Sequence, residues 1–127
     1  MRALSFKGWG IRMLEKGKRI PNWSLKDVEG KSHDLWDYRQ KAHLLLLYDP
    51  EASKDTIVRW QKAVQADQKQ WDWLSTKVII IHKAPKEVAP GAYVVDRYGM
   101  FWDYFSPGNW TFDDLERDLV YYEARHC

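Results

Sequence analysis

Cysteine occurs once in 127 residues, at the last position, Cys127. A single thiol excludes an internal disulfide framework and a thiolate metal cluster. Long apolar runs are also missing. The longest, Leu44-Leu45-Leu46-Leu47, falls far short of the roughly 20 residues a bilayer span needs. The opening residues lack the apolar stretch of a secretory leader, which sets a cytoplasmic protein as the expectation. Glycine-rich phosphate loops are absent. His33, His43, His82 and His126 show no metal-ligand spacing. No nucleophile elbow or serine–histidine–carboxylate pattern marks a hydrolase. No cofactor and no metal are therefore expected.

The composition that remains, 45% hydrophobic and 30% charged, is that of a globular protein. The length suits one domain that buries roughly two-thirds of its unfolded surface. Eight tryptophans exceed what a core of this size calls for, and tryptophan is enriched at protein interfaces. Net charge is +2, unevenly placed: the first twenty residues carry +5 and the rest −3. A basic arm over residues 1–19 thus precedes a mildly acidic domain over 20–127. Such an arm suits an acidic partner or an anionic membrane surface, or is a solvated leader. The acidic body disfavours nucleic acid.

Read along the chain, Trp23-Ser24-Leu25-Lys26-Asp27-Val28 alternates apolar and polar, and Glu29-Gly30 supplies a hairpin turn. Residues 43–48 form a continuous apolar run, the pattern of a strand covered on both faces. Ile57, Trp60, Val64, Trp71 and Leu74 recur at helical spacing, which predicts one long helix over residues 53–74, with Asp67 as a break in its stripe. Ser53 stands as its N-cap. Residues 77–82 read as a second buried strand, parallel to the first. Residues 92–96 and 100–104 read as a hairpin joined at Arg97-Tyr98-Gly99. Thr111, with Asp114 three residues on, opens a closing helix in a capping-box pattern.

This order, and four segments in particular, resemble the redoxin branch of the thioredoxin-like superfamily, of alkyl hydroperoxide reductase and thiol-disulfide interchange type. The segments are residues 20–31, Asp34-Leu35-Trp36-Asp37-Tyr38-Arg39, residues 88–99 with Pro90 and Asp96 six apart, and Trp110-Thr111-Phe112-Asp113-Asp114-Leu115. The resemblance covers about residues 20–119. It implies an α/β thioredoxin-like fold: a mixed four-stranded core sheet, an N-terminal β-hairpin and flanking helices. One helix is shortened or deleted, because only residues 83–89 link the second core strand to Pro90. That link can reach about 23 Å, enough to cross two strand spacings. The exposed layer then needs cover from elsewhere, the N-terminal arm included.

The resemblance also locates what is missing. Members carry CxxC or Thr-x-x-Cys at the first turn of the long helix, where free N–H groups and the helix dipole stabilise a thiolate. Here Ser53-Lys54-Asp55-Thr56 stands there. Hydroxyls neither ionise there unaided nor form disulfides. The expected function is a redox-inactive protein-binding or assembly module, with Ser53, Thr56, Arg59 and Pro90 on the former active-site face. The resemblance implies a cis peptide at Pro90. Trp9, Arg12, Trp102 and Trp110 are the candidate partner surface. The alternative is an oxidoreductase or peroxidase working through Cys127 or a partner's thiol.

Overall fold

The structure, a computed structural model, describes residues 14–126. Six strands form one sheet in the order β2-β1-β4-β3-β5-β6. They are β1 (Ser24–Asp27), β2 (Ser32–Asp34), β3 (His43–Tyr48), β4 (Thr76–Lys83), β5 (Gly91–Val95) and β6 (Phe101–Phe105). The leucine run explains the centre. With side chains alternating across β3, Leu44 and Leu46 enter one core and Leu45 and Leu47 the other. Each fully buried leucine contributes about 1.5–3 kcal/mol, so no other strand is as well suited to the middle.

β3 pairs parallel with β4 (Leu45↔Val78) and antiparallel with β5 (Leu46↔Tyr93), and β6 returns antiparallel to β5. A parallel β-α-β unit followed by β-β-α, ordered β4-β3-β5-β6, is the thioredoxin-like arrangement. The hairpin does not stand apart from this core, because β1 pairs antiparallel with the end of β4 and extends the same sheet.

All three helices, α1 (Lys54–Ala66), α2 (Gln68–Trp73) and α3 (Phe112–His126), serve one face. Ile57, Trp60, Val64, Trp71, Leu115 and Leu119 pack there on Leu45, Leu47 and Val94. The opposite face has no α-helix among the described residues, as the short link after β4 led us to expect. It is covered by Leu14, Ile20, Trp23, Leu35 at the start of a 3-10 turn (Leu35–Tyr38), and Val88 from that link. Of the arm expected over residues 1–19, residues 14–19 are among those described. They belong to the folded body. Gly17 donates to the Phe101 carbonyl, Phe101 to Lys18 and Ile20 to Gly99, each at 2.8 Å. Trp9 and Arg12 lie outside the described residues.

Two expectations need correction. The single helix over 53–74 is two, broken at Asp67 (φ −107°, ψ 22°). A continuous helix would carry the Asp67 carboxylate inward on the apolar stripe, a costly burial. The break leaves Asp67 exposed and turns Trp71 and Leu74 into the core. The second concerns Pro90. No cis peptide bond occurs among the described residues, so the Ala89–Pro90 bond is trans. The change of direction falls on Gly91 instead, at φ +147°, a region open mainly to glycine. A Cβ there would also run into the Tyr104 ring and stand 2.6 Å from the Phe105 carbonyl oxygen.

Candidate functional site

The first turn of α1 begins at the end of β3, where four N–H groups lack intrahelical partners. Ser53 satisfies one, its Oγ accepting from the Thr56 N–H at 3.1 Å. The Ser53 hydroxyl donates in turn to Thr56 Oγ1 at 3.1 Å, and Arg59 Nη2 donates to the same oxygen at 3.3 Å. Ser53, Thr56 and Arg59 thus form one connected group. Its chemistry is that of a cap. Both hydroxyls are engaged, and among the described residues no histidine or carboxylate bonds to either to serve as a base.

Beside this group lies a cleft of about 610 Å³ between α1, the ends of β3 and β5, and the loop before α3. Its lining includes Tyr48, Thr56, Arg59, Trp60, Gly91 and Trp110. Trp110 tilts against Trp60 at 5.4 Å between ring centroids and meets Phe112 edge-on at 5.3 Å. One wall is therefore aromatic, while Arg59, Lys62 and Asp49 supply charge. Such a site can hold an apolar or flat side chain against indole and a carboxylate or carbonyl at the guanidinium. Pro90 stands one residue from the rim, and its carbonyl accepts from the Tyr104 hydroxyl at 2.5 Å.

Trp102 goes elsewhere. It packs edge-on against Tyr122 at 5.0 Å, under the Lys16 ammonium at 4.1 Å. Trp102 and Trp110 are both half-buried; Trp110 lines the cleft and Trp102 does not. Among the described residues, no group of histidine, cysteine and carboxylate side chains is arranged to hold a metal ion.

Sequence reasoning missed two polar clusters. His43, fully buried, has its Nε2 2.5 Å from Glu123 Oε2, and Arg97 Nη2 is 2.5 Å from the same oxygen. Burial holds the His43 imidazole below its ordinary range, against the opposing pull of Glu123. Asp96 accepts from Tyr98 and Met100 N–H groups and from the Tyr122 hydroxyl, each at 2.9 Å. Together these pin the last turns of α3 to the sheet. In the hairpin, His33 sits between Asp27 (2.8 Å) and the Tyr38 hydroxyl (2.7 Å). This carboxylate–imidazole–phenol chain has relay geometry. The Tyr38 hydroxyl, pushed above its ordinary range mainly by burial, makes no nucleophile, and the chain locks the turn.

The chain resembles a number of solved structures, two of which follow. One is the exposed lipoprotein thioredoxin of Streptococcus pneumoniae strain TIGR4, at 16% identity and a TM-score of 0.47, covering 77% of this chain and 97% of that one. The other is a candidate electron transfer protein of Aquifex aeolicus VF5, at 14% identity and 0.43, covering 83% and 92%. No protein-family model and no curated protein matches the chain. The thioredoxin-like reading rests on strand order and connection, not on these scores. Among the described residues no helix is long and apolar enough to cross a membrane.

Proposed function

We propose that this is a thioredoxin-like domain without thiol chemistry of its own, which binds another protein through the aromatic cleft beside α1. One observation carries the reading. The turn where the fold would activate a thiol holds Ser53, whose hydroxyl caps the helix, and Thr56, whose hydroxyl accepts from Ser53 and Arg59, and the chain's one cysteine is at position 127. The cleft adds an aromatic wall with a cationic rim, suited to a partner's apolar side chain followed by an acidic group.

The purified chain should reduce neither insulin disulfides nor a hydroperoxide above the buffer rate, with dithiothreitol as electron source. Turnover that survives Cys127→Ser would sink the proposal. Turnover abolished by that change would instead establish the Cys127 reading.

A further inference from the structure

The hairpin leaves one edge of the sheet incomplete. β1 pairs with the end of β4 through Lys26↔Lys83 and Asp27↔Ile81. The Val28 N–H then reaches the Ile80 carbonyl at 3.0 Å, and the chain turns away at Gly30. Upstream of that point β4 has no strand on this side among the described residues. His43 donates to the Ser75 carbonyl on the other side. Backbone groups alternate along a strand, so those of Lys77 and Ile79 also face β3, while those of Val78 face the open edge. No described turn, loop or neighbouring strand supplies Val78 a partner there.

A groove of about 440 Å³ runs along this edge, between β4 and the outer side of α1. Val58, exposed at 42%, and half-buried Val78 give it an apolar floor. Asp27, paired with His33, and Lys62 of α1 also line it; of its other charges, Glu29 stands at the hairpin end and Lys77 at the opposite one. Among the described residues neither forms an ion pair. A bare backbone edge asks for another backbone, and extended peptides add to sheets in this way.

We infer that this groove takes an extended segment of a partner protein as an added strand, antiparallel to β4 and hydrogen-bonded to Val78. Its apolar side chain would lie between Val58 and Val78. An antiparallel segment begins at the Glu29 end and finishes beside Lys77, so a basic residue at its start and an acidic one at its end complement the groove. This surface deepens the protein-binding proposal but is separate from the aromatic cleft, and either can fail without the other.

The test follows amide hydrogen exchange by NMR in the full chain. The probe is the end-capped peptide Lys-Thr-Val-Ser-Ile-Glu, with its reversed sequence as control. In the free protein the Val78 amide should exchange about tenfold or more faster than Ile79, which is bonded to β3. Millimolar peptide should slow Val78 by about tenfold and leave Ile79 unchanged; the reversed peptide should do less. Val58→Lys should abolish the protection, and Trp110→Ala should not alter it. The inference is overturned if Val78 is already as slow as Ile79 in the free chain. Failure of the peptide to protect Val78 also overturns it. Protection that depends on protein concentration alone would mark a second copy as the occupant. Loss of the peptide effect in Trp110→Ala would place the peptide in the cleft, keeping the proposed function and ending this one.

Discussion

On one face of the sheet, helices and the turn after them supply Trp71, Leu74, Leu115 and Leu119. On the other, segments without an α-helix supply Leu14, Ile20, Trp23 and Val88. Both sets are exposed by 4% or less. Dryness is therefore not what distinguishes a helix from irregular chain here. The difference lies in the backbone. A helix satisfies its own N–H and C=O groups, whereas irregular chain over a core must find partners one at a time. It does so here through Trp23 N–H to Pro21, Leu35 N–H to Trp23, Trp36 N–H to the Asn22 side chain and the Trp36 indole to Ile20. The helix-free face is tied by hydrogen bonds of unlike kinds, the helical face by one kind repeated along each helix.

Truncating one anchor on each face gives the largest test. Trp71→Ala and Trp23→Ala should each cost about 3–5 kcal/mol in urea unfolding. A Trp23→Ala cost below about 1 kcal/mol would mean that the helix-free cover is loose. Gly91→Ala should follow, at about 2 kcal/mol or more, because positive φ and the Tyr104 ring oppose a side chain at once. Single polar fastenings come next. Asn22→Ala on one face and Thr111→Ala on the other should each cost about 1 kcal/mol. Thr111 holds α3 by a reciprocal cap, its N–H donating to Asp114 at 2.9 Å and the Asp114 N–H to its hydroxyl at 3.1 Å. A much larger loss for Asn22→Ala would show that irregular cover depends on each bond in a way a helix does not.

The last test is one of pH. On the helical side Asp118 meets Asp103 and Trp102 of β6, with Lys16 nearby. Burial, then the Asp103 charge, pushes its carboxyl from 3.8 up to about 7. The folded chain thus keeps a proton that the unfolded chain releases. The group's contribution is complete below the unfolded value and is lost as pH rises through about 7. Asp118→Asn should flatten that decline, seen as a smaller stability difference between pH 5 and pH 8 in urea titrations. An unchanged difference would remove Asp118 as its source.

Legibility followed locality. The β3 leucines, the Thr111–Asp114 cap and the Ser53 cap are signals within a few residues, and the structure carries each. The Asp67 break was visible as a flaw in the stripe, but its outcome depended on whether α2 could turn Trp71 inward, a matter of packing. The cleft was half legible. Thr56 and Arg59 stood out by position on the first helix turns and Trp110 by its residue type, common at protein interfaces. Trp60 read as core alone, since nothing local shows that the loop before α3 opens beside it. The cluster at His43, Arg97 and Glu123 joins three distant positions by burial, which no spacing encodes. The cis bond at Pro90 was inferred from resemblance, and Gly91 supplies the turn here.

The segment at residues 17–20 fastens to Gly99 and Phe101 at one edge of the sheet, then crosses to β1 near the other. During synthesis, which delivers the N-terminal side first, this strap leaves the ribosome long before its partners exist. Leu14, Ile20 and Trp23 must wait exposed until β6 is made. Closing so distant a contact is slow, and over that interval these apolar side chains are the part of the nascent chain most open to chaperones.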